Sequence, residues 1–311
     1  MINKNSKIFV AGHNGLIGSA ICRKLKSLNY KKIFTISKKD LDLRSQERVL
    51  KYFKKIRPDA VILAAAKVGG IDVNNRLRGE FIYDNLAIQN SIIHASYLNG
   101  VKNLIFLGSS CIYPKLSKQP IKEKYLLSGY LEKTNEPYAI SKIAGISLCE
   151  SYNKQYKLNY KCLMPCNAYG INDNYDPVGS HFFPALIKKI IDAIKYRKGE
   201  INIWGNGKPL RELIFSDDVA DACIFFLRKK TPETLINIGT GKDKSITEYA
   251  NIIMKHLGVN FKIIYKKDKP NGTMRKVLDV SLAKRHGWKF KTPLKKGLAI
   301  TINDYLKKNL S

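Results

Sequence analysis

The sequence lacks an apolar run long enough to cross a membrane. Its longest candidate, residues 60–66, ends at Lys67, whereas a spanning helix needs roughly 18 apolar residues. The first residues run directly into a glycine-spaced turn, so we expect no signal peptide. The six cysteines include no C-x-x-C pair and no Cys/His spacing typical of metal sites. We therefore expect no bound metal, no membrane partner, and reduced thiols in a cytoplasmic protein.

Acidic residues are also scarce: the chain has 25 Asp and Glu and 55 Lys and Arg, which gives a formal charge of +30. The lysines are scattered in short groups along the whole chain, without a block of five like charges or the aromatic-basic alternation of nucleic-acid binders. A solvated, lysine-rich surface accounts for this pattern. A positive surface also concentrates anionic small molecules such as nucleotides. We expect no specific nucleic-acid partner; a nucleic-acid binder is the alternative, and it would show strongly salt-dependent binding.

The first half of the chain alternates short apolar runs with helical patterns, which predicts an α/β fold with a Rossmann-type, doubly wound parallel sheet. Strands are predicted at residues 8–11, 33–36, 60–63, 104–107 and 162–164, and helices at 80–99 and 136–156. Beyond residue 170 the pattern is less regular, with helices near 181–197 and from Ser216 and Ile246, and strands at 201–204 and 235–238. Polar loops are predicted at 114–137 and 172–179.

These patterns predict two domains. Residues 1–168 form the dinucleotide-binding domain, with a returning segment near 211–240. Residues 169–311 form most of a smaller, discontinuous substrate domain.

Three glycines, Gly12, Gly15 and Gly18, follow the first predicted strand and open a helix. In that context glycines let the backbone approach a pyrophosphate, and the helix N-terminus presents free N–H groups to it. A purely structural glycine turn is the alternative. The second strand is followed by Lys38 instead of the acidic residue that grips the ribose of NAD, which favours NADP(H); Asp40 nearby leaves NAD open.

Tyr138 and Lys142 lie four residues apart in NEPYAISKIAG, so a helix at 136–156 places them side by side on one face. A charge at ~4 Å, with an effective dielectric of ~20, supplies roughly the 4 kcal/mol needed to lower the pKa of a tyrosine from ~10 to ~7. Ser109 follows a predicted strand at the edge where open α/β sheets bind ligands. Its hydroxyl can donate to a substrate carbonyl beside the tyrosine.

These motifs resemble the extended short-chain dehydrogenase/reductase superfamily and, within it, the GDP-L-fucose synthase family. The matching segments span residues 11–279 and include AGHNGLIGSA, LAAAKVGGI, GSSCIYPK, NEPYAISKIAG, SHFFPAL, WGNGKPLRE and NGTMRKVLD. The resemblance implies an NADPH-dependent enzyme that reduces C4 and epimerises C3 and C5 of a GDP-4-keto-6-deoxy sugar. The expected product is GDP-L-fucose for cell-surface polysaccharide.

The resemblance also implies a role for individual residues. Tyr138 is the general acid, Lys142 assists it and holds the cofactor, and Ser109 binds the keto oxygen. Cys111 and His181 are the base and acid of epimerisation; the alternative is that Cys111 is a small buried side chain and His181 a helix N-terminal residue. The cofactor residues are Gly12, Gly15, Leu16, Ile17, Gly18, Lys38, Ala65, Tyr138 and Lys142, and the substrate residues are Asn167, Lys189, Trp204, Arg211 and Lys276. For Trp204, the alternative to substrate binding is packing in the hydrophobic core. A homodimer through the helices at 80–99 and 136–156 is also implied.

The sequence departs from the family pattern around the expected sugar pocket. The family's MPTNLYGP reads MPCNAYGINDNYDP, Asn14 stands where many members have arginine, and Lys189 replaces an arginine. These changes leave a second enzyme open: a C4 reductase without epimerase activity, acting on a related sugar such as a GDP-4-keto-heptose. A non-catalytic NADP-binding scaffold would be expected to lack Ser109, Tyr138 or Lys142, and all three are present.

Overall fold

In the computed structural model, which describes residues 2–176, 179–268 and 272–309, the chain builds one large sheet and two small ones. The strands are β1 Lys7–Ala11, β2 Lys32–Phe34, β3 Ala60–Leu63, β4 Asn103–Leu107, β5 Asn159–Pro165, β6 Asn167–Tyr169, β7 Glu200–Trp204, β8 Leu210–Phe215, β9 Leu235–Ile238, β10 Asp243–Ser245, β11 Lys262–Lys266 and β12 Arg275–Lys276. The helices are α1 Leu16–Ser27, α2 Gln46–Ile56, α3 Ile71–Arg76, α4 Arg78–Leu98, α5 Glu136–Tyr156, α6 Phe182–Lys195, α7 Ser216–Arg228, α8 Ile246–His256, α9 Ser281–Arg285 and α10 Leu294–Asn309.

The large sheet has six parallel strands in the order β2-β1-β3-β4-β5-β9. Every residue of β3 and of β9 is buried, as is typical of parallel strands covered by helices on both faces. The strand order reverses between β1 and β3. In open α/β sheets this reversal opens a crevice for ligands at the carboxyl ends of the strands. The predicted doubly wound parallel sheet is confirmed.

The smaller sheets lie beyond residue 166. β8 is the central strand of one of them, where it pairs with β10, β12 and β6, and β11 pairs with β7 in the other. Apolar residues of α6, α8 and α10 form a second buried cluster with β7 and β8, separate from the cluster around the large sheet. Leu186 and Ile203 of this second cluster also line the crevice at the carboxyl ends of the large sheet.

Most predicted elements exist, with shifted ends. The helix predicted at 136–156 is α5, without a shift, and the strand predicted at 33–36 is the three-residue β2. The sequence interpretation missed α2. A hydrogen bond from Arg48 N to Ser45 Oγ caps the start of this helix, and Arg57, in the left-handed conformation, ends it. It also missed β8, β11 and α10. Residues 177 and 178 of the predicted loop 172–179 lie outside the described residues. Within the described part of the chain, no helix has the length and apolarity to span a bilayer.

Candidate active site

The predicted catalytic and substrate residues meet in one cleft at the carboxyl edge of the large sheet. The cleft has a volume of about 430 Å³, within the range of roughly 300–1,000 Å³ that small-molecule sites occupy. Nine of the ten predicted residues line it: Ser109, Cys111, Tyr138, Asn167, His181, Lys189, Trp204, Arg211 and Lys276. The tenth, Lys142, lies buried behind Tyr138.

Close packing between α5 and β4 positions the tyrosine and the lysine. Gly145 lets the helix approach, because a Cβ there would lie 2.6 Å from the Phe106 ring. Lys142 is 3% exposed, and its Nζ donates to the carbonyl of Leu107 at 2.9 Å. The same Nζ lies 5.8 Å from the centre of the Tyr138 ring. The i to i+4 arrangement predicted from the sequence is therefore present.

The effect of this pair on the pKa of Tyr138 is opposite to the sequence-based expectation. Burial raises the pKa of the Tyr138 phenol above its ordinary value, the nearby Cys111 raises it further, and Ser109 acts in the opposite direction. Burial also lowers the pKa of Lys142 to about 7. The simple Coulomb estimate was wrong because it omitted the free energy of removing both groups from water. Tyr138 therefore keeps its proton at neutral pH.

Ser109 and Cys111 follow β4 in a short 3-10 turn, residues Ser110–Ile112. The Ser109 side chain caps that turn by accepting a hydrogen bond from the backbone N–H of Cys111 at 3.3 Å. Ser110, in contrast, is buried. The turn thus presents Ser109 and Cys111 to the cleft beside Tyr138.

His181 stands at the N-terminal end of α6, where it occupies the cap position without a side-chain capping hydrogen bond. Its imidazole faces the cleft. His181 is exposed at the mouth of the cleft by surface area, yet partial loss of water around the imidazole lowers its pKa below the ordinary value. This shift favours the neutral form of the imidazole.

Positive side chains line the opposite side of the cleft. Lys189, on α6, donates to the carbonyl of Asn202 at 3.0 Å and lies 5.7 Å from the Trp204 ring. Arg211, on β8, donates through Nη1 to the carbonyls of Leu210 and Thr273 at 2.9 and 2.6 Å. Burial lowers the pKa of both cations. Removing them from water strengthens their attraction for an anionic ligand.

Two other predicted substrate residues differ in their surroundings. Trp204 is 43% exposed and lines the cleft, so the core-packing alternative for it was wrong. Asn167, on β6, donates through Nδ2 to the carbonyl of Glu212 at 3.0 Å, which fixes its amide beside β8.

Sequence reasoning missed a group of polar atoms in the cleft wall. Asn74 Oδ1, Asn135 Oδ1 and Ser180 Oγ are buried and have no hydrogen-bond partner within the described ranges. Buried polar atoms normally have a partner, so orphaned ones in a cleft point to a ligand with hydroxyl or amine groups. The quoted segments NEPYAISKIAG and SHFFPAL contain two of the three, but no sequence pattern marked them.

The glycine turn after β1 fits the diphosphate of a dinucleotide. Gly12 has a φ of +86°, and a Cβ at Gly18 would lie 1.9 Å from the Gly12 carbonyl oxygen, so both positions require glycine. A Cβ at Gly15, the N-cap residue of α1, would instead make an ordinary contact with the Gly12 carbonyl oxygen at 3.6 Å. The N–H groups of Leu16 and Ile17, in the first turn, lack acceptors within the helix. Ala65, which follows β3, lies against Gly12.

The surroundings of Lys38 suit the extra phosphate of NADP. Lys38 is exposed after β2. The nearby carboxylate of Asp40 accepts a hydrogen bond from the Ser37 hydroxyl at 2.6 Å, which leaves it less available to a ribose diol. The residues at this edge therefore fit NADP better than NAD.

With this geometry established, comparison with known proteins identifies the family. Residues 8–239 match the NAD dependent epimerase/dehydratase family. The chain belongs to that family. It is 45% identical over 309 residues to a GDP-L-fucose synthase of Escherichia coli strain K12, which covers 96% of each protein. It is 46% identical to GDP-L-fucose synthase 1 of Arabidopsis thaliana, with 99% of this chain and 95% of that protein covered.

A solved structure extends the comparison. A GDP-mannoheptose C4 reductase of Campylobacter jejuni, solved with NADP bound, is 36% identical to this chain. It superposes with a TM-score of 0.89 over 98% of this chain and 99% of that one. The family and fold expected from the sequence are confirmed.

Proposed function

We propose that this protein is an NADPH-dependent oxidoreductase and epimerase that converts GDP-4-keto-6-deoxymannose to GDP-L-fucose. The observation that carries this proposal is the convergence of Ser109, Tyr138, Cys111 and His181 on one cleft. The similarity to two GDP-L-fucose synthases supports the sugar. The Campylobacter reductase, solved with NADP, supports the cofactor.

The reduction uses the sheet side of the cleft. The glycine turn would hold NADPH, and the chemistry that this cofactor would supply is a hydride for C4 of the sugar. The Ser109 hydroxyl donates a hydrogen bond to the keto oxygen, and Tyr138 transfers its proton to that oxygen as negative charge develops. Because the pKa of Tyr138 is raised, the phenol is protonated before the reaction. An alkoxide is a stronger base than a phenolate, so the proton still moves to the substrate.

The same carbonyl makes epimerisation possible. A ketone at C4 acidifies the hydrogens at C3 and C5, and the donors that polarise it for reduction also stabilise the enolate. Cys111 removes a proton from one face of the sugar, and His181 delivers one from the other. The donors Ser109 and Tyr138 thus serve both reactions.

The nucleotide occupies the cationic side. The guanidinium of Arg211 matches the geometry of diphosphate oxygens, while Trp204 offers an aromatic face to the base beside Lys189. Asn74, Asn135 and Ser180 supply partners for the sugar hydroxyls. In the dinucleotide half, Gly12, Gly15, Leu16, Ile17, Gly18, Lys38 and Ala65 hold the cofactor.

Assays with purified protein test this function. We expect oxidation of NADPH with GDP-4-keto-6-deoxymannose, and slower turnover with NADH or with the UDP form of the sugar. Absence of turnover with every GDP-4-keto sugar would overturn the proposal. The second candidate, a C4 reductase without epimerase activity, is favoured by the similar Campylobacter reductase. It predicts faster turnover of a GDP-4-keto-heptose than of the deoxy sugar.

We propose further that the protein is a homodimer. α4 and α5 carry exposed apolar side chains, among them Tyr83 at 67% and Ile140 at 43% exposure. Their pairing across a two-fold axis would bury these residues. Light scattering that gives twice the chain mass for the protein, and half that value for Ile140→Glu, supports the interface. A monomeric parent protein contradicts it.

The cellular setting and the domain division are also part of the proposal. All six cysteines carry free thiols, which suits a cytoplasmic enzyme that supplies GDP-L-fucose for polysaccharide. Residues 1–168 with the segment 211–240 would form the dinucleotide domain; β9 of that segment joins the large sheet, whereas β8 pairs within a smaller sheet. Residues 169–311 would form most of the substrate domain.

A further inference from the structure

Lys276 lines the cleft in which the nucleotide is proposed to bind, and it also contacts the sulfur of Cys111. Its Nζ is 3.7 Å from Cys111 Sγ, although the two residues are 165 positions apart in the sequence. Lys276 is on β12, which pairs in parallel with β8 and places Lys276 opposite Arg211. The sequence motif alone suggested only a nucleotide contact for this lysine.

The position of Lys276 is fixed by contacts on both sides. Val277 N donates to Gln119 Oε1 at 2.9 Å, and Leu278 N donates to the buried carboxylate of Glu212 at 2.7 Å. Ile121 N donates to the Val277 carbonyl at 2.8 Å. The backbone after Lys276 is therefore tied to the loop beyond Cys111 and to β8.

The charged and titratable groups that influence Cys111 are predominantly positive. Lys276 approaches from β12, and Arg211, from β8, interacts electrostatically with the sulfur. Tyr138, from α5, is the titratable group on the third side and stays neutral at pH 7 because burial raises its pKa. The Cys111 sulfur therefore lies near two cationic side chains and a neutral phenol.

We propose that Lys276 is a positioning residue for epimerisation, which holds the Cys111 sulfur in place and stabilises the negative charge that the sulfur carries when it acts as the base. This inference rests on the proposed function. In the step, the C–H bond at C3 or C5 breaks, an S–H bond forms, and the electron pair passes into the enolate of the C4 ketone. His181 takes up a proton from solvent and delivers it to the opposite face. Exchange of both groups with solvent restores their protonation states.

Alkylation of Cys111 with iodoacetamide tests this role without any turnover. Only thiolates react, and Cys22 is the other cysteine that is not buried, so the rate measured for Cys111→Ser is subtracted. We expect Lys276→Met to react roughly tenfold more slowly at pH 7, with Lys276→Arg close to the parent protein. Lys244→Met removes one exposed positive charge on the neighbouring strand β10 and should leave the rate unchanged.

The activity of the same variants separates this role from nucleotide binding. Lys276→Met should lose incorporation of solvent deuterium at C3 and C5 while it still reduces a pre-epimerised substrate with little change in KM. An unchanged alkylation rate in a folded Lys276→Met protein overturns the proposal, as does a rise in KM without loss of exchange. If the parent protein turns over no GDP-4-keto sugar, the proposed function fails, yet a slower alkylation rate would still establish the Lys276–Cys111 coupling.

Discussion

The two walls of the cleft differ in their electrostatics. The sheet wall, formed by Ser109 and Tyr138 with Lys142 buried behind Tyr138, offers donors at the position of the ketone, and burial lowers the pKa of Lys142 to about 7. The cationic wall, formed by Lys189, Arg211 and Lys276, offers positive groups that are held by backbone carbonyls or lie beside the Cys111 sulfur.

Burial has a different consequence on each wall. On the sheet wall, burial keeps the phenol protonated, so the proton moves only when the substrate oxygen becomes more basic. On the cationic wall, burial strengthens attraction for phosphate oxygens. Cys111 lies on the sheet side but contacts a cation from the other wall, so it depends on both.

The largest expected effect comes from the sheet wall. Tyr138→Phe removes the proton donor while keeping the ring that packs on Phe81, so kcat for reduction should fall about 10²- to 10⁴-fold. Steady-state oxidation of NADPH measures this, with circular dichroism to confirm folding. Tyr130→Phe, on an exposed loop, is the matched control. Near-normal kcat in Tyr138→Phe would remove the phenol from the mechanism.

Cys111→Ala should separate the two reactions. Without the thiol, solvent deuterium no longer enters C3 and C5, whereas reduction of a pre-epimerised GDP-4-keto sugar continues, because Ser109 and Tyr138 remain. Nuclear magnetic resonance of the product measures the exchange, and Cys22→Ala serves as the control. Equal loss of both reactions in Cys111→Ala would contradict this division of labour.

The cationic wall should affect binding more than turnover. Arg211→Gln removes charge-assisted hydrogen bonds worth about 1.5–3 kcal/mol, so KM for the GDP-sugar should rise about 10- to 100-fold with a smaller change in kcat. Arg211→Lys keeps the charge but loses the planar fork, and should give an intermediate KM. A KM unchanged in Arg211→Gln would place the diphosphate elsewhere.

The smallest effect tests the burial of Lys142. In the unfolded chain the ammonium keeps its proton up to about pH 10.4, whereas in the folded protein its pKa is about 7. Between these values the unfolded state binds more protons, so the free energy of unfolding rises with pH, by at most about 1.4 kcal/mol per pH unit. Urea unfolding between pH 7 and 9 should show this slope relative to Lys142→Met. Parallel curves for the two proteins would show that Lys142 keeps its charge in the fold.

The dinucleotide half was readable from the sequence because its signals are local. Buried parallel strands are continuous apolar runs, as in β3, and α5 carries its own boundaries in Pro137 and the left-handed Lys157. The strand β8 was missed because its pairing partners come from distant parts of the chain. β12 was missed because two residues carry no periodicity.

The cleft residues could be named from motifs, but their contacts could not. Spacing alone predicted that Tyr138 and Lys142 are neighbours. The direction of the change in the pKa of Tyr138 depended on burial, which the local spacing does not report. The approach of Lys276 to Cys111 needed the pairing of β12 with β8, and the orphaned atom of Asn135 needed the assembled cleft.

One measurement tests the central claim most directly: the product formed from GDP-4-keto-6-deoxymannose and NADPH in deuterium oxide. We predict one equivalent of NADPH consumed for each GDP-L-fucose formed, with solvent deuterium at both C3 and C5. A reduced sugar that carries no deuterium at either carbon would contradict the account, because Cys111, His181 and Lys276 would then take no part in the chemistry.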